Sequence, residues 1–419
     1  MNRPQDLPAD PLLRSLVQQA RQTSRTRAAA QGTVSRRTVL AAAGGIAGVG
    51  ALLAACGTGG TPSAAKSSAT AAKDVSATDK IVNWANWTLY LDYDESTQSY
   101  PSLDAFQKKT GITAHYAEDI EDNDTYFGKI QGQLANGQDI GQDIVVFTDW
   151  MAARMIRLGY TQAFDAAKIP NAANLLPNLK TVDFDPGRKN SLTWQSGFAG
   201  LAWSKEKVPA GLTSVSDLWK PEYKGRVEVL SEMRDTIGLI MMDQGVDIAG
   251  KWGDDEFGAA LEVLKAQIAS GQIRQVKGNS YKEDLISGDA VAVIGWSGDI
   301  TQLNFENDDK FTFLLPDSGG TLWSDNLEIP IGATHKSNAE ELINYYYDPE
   351  VAATVAAYVN YICPVEGARD AMATIDSSLV DNTLIFPDEA TLAKAHVFRT
   401  LTPEEETKYN GDFLSAVGA

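Results

Sequence analysis

The sequence predicts an α/β fold with largely parallel sheets. Short apolar runs recur after residue 80, stretches of helical periodicity separate them, and no internal repeat of fixed period appears. A chain of 419 residues leaves room for two or three domains. Its composition, 43% hydrophobic and 22% charged, is that of a globular core under a solvated surface.

The apolar runs are Ile81-Val82, Ile144 to Phe147, Val227 to Leu230, Val291 to Ile294 and Phe311 to Leu315. Their near-continuous apolar character is that of strands covered on both faces. Helical patterns lie between them, at Asp124 to Leu134, Trp150 to Leu158 and Asp254 to Ser270. Ala339 to Val359 carries Leu342, Ile343, Tyr346, Val351, Val355 and Tyr358 on helical faces, with a break near Asp348-Pro349. The acidic run Glu118 to Asp124 lacks the Gly and terminal Glu of a calcium loop. It reads as a solvated loop leading to a helix cap at Asn123 or Asp124. Tyr345-Tyr346-Tyr347 raises the question of a tyrosinate iron site. The run falls within an amphipathic helix, however, where at least one Tyr must face the core.

The N-terminus stands apart from this pattern. Ser35-Arg36-Arg37-Thr38-Val39-Leu40 is a twin-arginine pattern, followed by a weakly apolar run ending in Leu53-Ala54-Ala55-Cys56. That ending resembles a bacterial lipobox, which makes Cys56 the expected lipidation site and residues 1–56 an export signal. Gly44, Gly45, Gly48 and Gly50 make the run a poor membrane span. Residues 57–78 are rich in Gly, Ser, Ala, Thr and Lys and read as a flexible tether. Beyond Cys56 only Cys363 remains, so no internal disulfide can form; Cys363 reads as a buried small residue.

Charge narrows the function classes. Through Cys56 the chain has seven Arg and two Asp, so the rest carries −24 against −19 for the whole. Such a surface repels nucleic acid and attracts cations. Walker A, H-E-x-x-H and C-x-x-C motifs are absent, so neither a cofactor nor a metal is expected.

What recurs instead is the pairing of aromatic and acidic or polar residues at strand ends. Asn83 to Asp92, Thr148-Asp149-Trp150, Ser231 to Asp235, Gly295 to Asp299 and Trp323 to Asn326 all show it. Ligands of open α/β sheets bind beyond the carboxyl ends of strands, so these five segments can converge on one cleft. Trp323 and Asp325 lie two apart, on one side of an extended segment. An indole beside a carboxylate suits a flexible diamine or polyamine. Its methylenes want flat apolar walls and its ammonium groups want carboxylates and aromatic faces.

At these residues the chain resembles the spermidine/putrescine-binding proteins of bacterial ABC importers. The resemblance runs from about Lys80 to Asn410. It is carried by Asn86-Trp87-Thr88-x-Tyr90, by Asp217-Leu218-Trp219-Lys220-Pro221-Glu222-Tyr223-Lys224-Gly225-Arg226, by Ile294 to Asp299, by Leu322 to Pro330 and by Leu342 to Ala352. It implies a two-lobed periplasmic-binding-protein fold of type II that closes on its ligand at a hinge. Lobe one is then 79–197 plus 325–375, and lobe two 198–324 plus 376–419. It further implies a lipid-anchored monomer facing outside the cytoplasm, partnered by permease subunits, with no catalytic residues. The ligand-binding residues carried over are Trp87, Thr88, Tyr90, Thr148, Trp150, Glu232, Asp235, Trp296, Trp323, Asp325 and Tyr361. Leu89 departs from the family, which often has an acidic or polar residue there; Asp92 or Asp149 would be the replacements. The last family contact falls near Phe398. A sugar or quaternary ammonium ligand on the same fold, an enzyme acting on small amines or glycans, and a sensor or adhesion lipoprotein remain open at this point.

Overall fold

A computed structural model describes residues 66–418. The twin-arginine pattern, Cys56 and residues 57–65 lie outside them. Ten strands join in one mixed sheet: β1 (Ile81–Trp87), β2 (Thr113–Ile120), β3 (Ile144–Thr148), β4 (Ser191–Ser204), β5 (Val227–Leu230), β6 (Ile273–Lys277), β7 (Ala292–Trp296), β8 (Phe311–Leu314), β9 (Gly320–Glu328) and β10 (Ala395–His396). The order is β2-β1-β3-β9-β4-β7-β5-β6, with β10 beside β9 and β8 beside β4.

Both wings of this sheet are parallel, as the alternation of strands and helices requires: β1 with β2 and β3, and β5 with β6 and β7. The middle is antiparallel, which corrects the expectation of largely parallel sheets. β4 pairs with β9 through Ser191 to Ala199, then with β7 through Ala199 to Trp203. β9 also pairs with β3 through Asp325 to Glu328. β4 carries the chain from one wing to the other and β9 brings it back, so the two must run in opposite directions. Every β4 residue but the last is buried.

The cores divide with the wings. One apolar cluster runs from Ala199 to Phe311 and adds Phe398, Leu401, Tyr409 and Phe413. The others draw on residues between Val82 and Trp194 and between Leu327 and Ile385. Trp84 anchors one of these edge-on to Tyr116 and Trp194, each at 5.0 Å. Truncating such a side chain to Ala costs about 3–5 kcal/mol.

The helices are α1 (Pro101–Thr110), α2 (Asn123–Ala135), α3 (Asp149–Leu158), α4 (Met233–Asp243), α5 (Asp254–Ala269), α6 (Tyr281–Ser287), α7 (Ser297–Glu306), α8 (Lys336–Tyr346), α9 (Pro349–Val359), α10 (Ala368–Ile375), α11 (Glu389–Leu392) and α12 (Pro403–Val417). The predicted break at Asp348-Pro349 separates α8 from α9, where Asp348 caps Glu350 N. The cap of α2 is Asp122, not Asn123 or Asp124; its carboxylate accepts from Thr125 N at 3.0 Å. Of the three tyrosines, Tyr346 and Tyr347 are buried, with Tyr346 Oη at 3.0 Å from Ser102 Oγ. Cys363 is buried, and burial pushes its thiol up to about 12.

Residues 66–78 differ from the expected tether. Ser67 N donates to Leu158 O at 2.8 Å, Ala72 N to Ile331 O at 3.1 Å and Val75 N to Thr334 O at 2.8 Å. A small-residue composition permits flexibility but does not enforce it when backbone donors find acceptors along a folded surface.

Candidate functional site

Three strand-to-helix junctions build most of the site. β3 runs straight into α3, β7 straight into α7, and β5 reaches α4 after two residues. Each junction places an acid in the first helical turn, namely Asp149, Asp235 and Asp299. Helix N-termini favour negative charge, so these positions tolerate buried carboxylates. β9 supplies Trp323 and Asp325 from the middle of the sheet. All eleven sequence-predicted residues line a single cavity of about 670 Å³.

Asp325 lines it and is only 5% exposed. Its register partner on β3 is Thr148, whose Oγ1 donates to Asp325 Oδ1 at 2.7 Å. Tyr90 Oη donates to Oδ2 at 2.9 Å. Burial pushes this carboxyl up to about 7, against the pull of the two hydroxyls. Both donors are neutral, so the negative charge is solvated but not balanced.

The walls are aromatic. Trp323 and Tyr361 meet at 5.3 Å, and Tyr361 stands edge-on to Tyr90 at 5.5 Å. Two glycines make this packing possible. A Cβ on Gly197 would lie 2.4 Å from the Trp323 ring, and one on Gly298 would lie 2.6 Å from the Tyr361 ring. Trp87 and Thr88 add a further wall, with Trp87 Nε1 tied to Val146 O at 3.1 Å.

On the far side, Asp235 accepts from Trp296 Nε1 at 2.8 Å and from the Thr321 hydroxyl. Burial pushes its carboxyl up to about 6. Glu232 accepts from Trp150 Nε1 at 3.2 Å and caps Arg234 N at 3.2 Å. Burial pushes this carboxyl up to about 8, against the pull of the Arg234 guanidinium.

Contacts also cross the cleft. Glu406 on α12 accepts from Arg154 Nε at 3.1 Å and from Arg157 Nη2 at 2.7 Å, both on α3. The Arg234 guanidinium lies 4.0 Å from the Trp150 ring centroid. Tyr361 Oη donates to Asp299 Oδ1 at 3.0 Å.

The cavity includes residues the sequence reading did not select. Asp299 accepts from Asn279, Tyr281, Lys282 and Tyr361. It and Arg234 fall inside strand-end segments that were flagged, so their signal was present. Phe398, near which the resemblance put the last family contact, lines the cavity from a loop far along the chain, where no strand-end pattern marks it. Of the proposed replacements for Leu89, Asp92 does not serve: it accepts from Ser102 N at 2.9 Å in the first turn of α1, away from the cavity. Asp149 does line the cavity, but its Oδ1 is held by Asn326 Nδ2 at 2.7 Å. Leu89 itself has a left-handed backbone, φ 58°, with its N–H on Glu118 Oε1 at 3.1 Å. Among the described residues, no group of three or more His, Cys, Asp or Glu is arranged to hold a metal ion.

Residues 102–381 match the family model described as bacterial extracellular solute-binding protein. The chain is 28% identical over 337 residues to a spermidine/putrescine-binding periplasmic protein of Escherichia coli K12, covering 80% of this chain and 86% of that one. It is 26% identical over 348 residues to a putrescine-binding periplasmic protein of the same organism, covering 79% and 89%. A solved spermidine/putrescine ABC transporter substrate-binding protein from Streptococcus pneumoniae superposes with a TM-score of 0.65 at 24% identity, over 81% of this chain and 98% of that one. The architecture is therefore the two-lobed fold of periplasmic binding proteins, with β4 and β9 as the strands between lobes.

Proposed function

The chain belongs to the bacterial extracellular solute-binding proteins, and from that membership we propose that it is the lipid-anchored receptor of an ABC importer. It binds a polyamine of the spermidine or putrescine class and delivers it to membrane permease subunits. One observation carries the reading: Asp325 lies buried in an aromatic-walled cavity with two neutral hydroxyls and, among the described residues, no paired cation. A buried carboxylate of that kind is costly until a cation reaches it. The relatives bind polyamines by name, which agrees with this demand.

The mechanism follows from the two lobes. An ammonium at Asp325 and Asp235 touches both lobes only in the closed form, so the ligand shifts the population towards closure. Trp323, Trp296, Tyr361 and Trp87 enclose the methylenes. Thr148 and Tyr90 hold the Asp325 carboxylate in place, and Thr88 and Trp150 complete the rim. The closed receptor docks on the permease, and a separate ATPase powers transport. Twin-arginine export and acylation at Cys56 keep the receptor, a monomer, at the outer face of the membrane. The role is one of binding, without catalysis.

Calorimetric titration with spermidine, putrescine and cadaverine, with a glucose oligomer as control, tests the proposal. Tight, salt-sensitive heat with an amine is the expected outcome. Heat with the oligomer alone would move the ligand to a sugar on the same fold.

A further inference from the structure

The carboxylates of the cavity are not equally free. Asp299 is paired with Lys282 Nζ at 3.1 Å. Asp149 is held by Asn326, whose Oδ1 accepts from Arg188 at 2.8 Å. Asp122, at the rim, is engaged in capping α2. Asp235 and Asp325 alone among the acids discussed have only hydroxyl and indole donors.

Glu232 differs from both. It belongs to a cluster in which three basic side chains, Arg154, Arg157 and Arg234, face three acidic ones, Asp124, Glu232 and Glu406. Arg234 is 9% exposed, places its guanidinium 4.0 Å from the Trp150 ring centroid and lies 3.7 Å from Glu232. Trp150 and Glu232 again set an indole beside a carboxylate, and here the indole donates to the acid at 3.2 Å. An ammonium would be recognised by such a pair, but here a guanidinium from the chain already occupies it. A further ligand cation at that end would meet Arg234 as a like charge.

We propose that Arg234 acts as a built-in cation at the Trp150–Glu232 end of the cleft, so that the receptor selects a linear diamine over a triamine. The inference rests on the polyamine reading and sharpens it: the two buried acids with only neutral donors, Asp235 and Asp325, call for two ammonium groups. Arg234 is then a specificity residue that works by occupying a subsite.

The test is titration calorimetry of the full chain with putrescine, cadaverine and spermidine, on wild type and on Arg234→Gln, which keeps much of the side-chain length and loses the charge. Wild type is expected to prefer a diamine over spermidine by about tenfold or more, and Arg234→Gln to lose most of that preference through a gain for spermidine. Arg234→Ala is a second variant, with a thermal melt to establish that each folds. Spermidine binding as tightly as the diamines in wild type overturns the inference and leaves the polyamine reading standing. So does an unchanged preference in a folded variant. Absence of heat with every amine overturns the polyamine reading itself.

Discussion

The end of β9 and the junction from β5 to α4 each present an indole and an acid to the same cleft, yet they are finished differently. Asp325 has the Thr148 and Tyr90 hydroxyls, whereas Glu232 has the Trp150 indole and the Arg234 guanidinium. Burial raises both carboxyls. The chain brings a guanidinium to the second, whereas the first has only hydroxyl donors. The difference teaches that an aromatic–acid pair becomes a ligand element or part of an internal ion cluster according to whether the chain supplies its own positive charge.

The strongest way to break this comparison is to neutralise each acid in turn. Asp325→Asn is expected to weaken amine binding by about 2 kcal/mol or more, roughly thirtyfold, because a desolvated charge pair is lost. Glu232→Gln is expected to cost clearly less, and calorimetric titration of both variants reads the contrast. Equal losses would erase the distinction between the two ends.

Next in size is the clasp across the cleft. Glu406→Gln leaves Arg154 and Arg157 without their shared carboxylate, which destabilises the closed form. About tenfold faster ligand release is expected, measured by stopped-flow dissociation. A change in association rate alone would contradict the clasp.

The pH response sharpens the comparison further. In the empty protein Asp325 and Asp235 have carboxyls raised to about 7 and about 6, above the unfolded value near 4. Folding therefore takes up protons between these values. The stability these groups contribute is full below pH of about 4 and is lost as pH rises through about 6 to 7. Cation binding needs the ionised acids, so affinity should rise over that same window and level off above it. Thermal melts of the empty chain and parallel titrations across the range check both slopes. The smallest expected effect is that of Tyr90→Phe, which removes one donor to Asp325 and should cost about 1 kcal/mol in affinity by titration.

Much of this was legible in the sequence, for identifiable reasons. The runs at Ile144, Val227 and Phe311 are apolar enough to declare strands, and the aromatic–acid pairs at their ends pointed to one cleft. The crossing strands were harder to see. β4 includes Thr193, Gln195, Ser196, Gly197 and Gly200, so no apolar run marks it, although nearly all of it is buried. Those small and polar residues are there for contacts that only the fold creates, such as the close approach of Trp323 to Gly197 and the Ser196–Ser324 hydroxyl pair at 2.8 Å. The assignment of Arg234 was hidden for a similar reason. Its neighbours Trp150 and Glu406 come from segments 84 residues before it and 172 after it. Residue type gave Glu232 and Asp325 the same standing, and three-dimensional placement separated them.

The most direct test of the account is the count of protons exchanged when putrescine binds near neutral pH. It is obtained by repeating the calorimetric titration in buffers of different ionisation heat. If the buried acids await a cation, binding ionises the fraction of Asp325 and of Asp235 that is protonated in the empty cleft, and a net release of protons follows, most of it lost in Asp325→Asn. Tight binding with no proton release, unchanged by Asp325→Asn, would contradict the claim that this carboxylate holds the ligand.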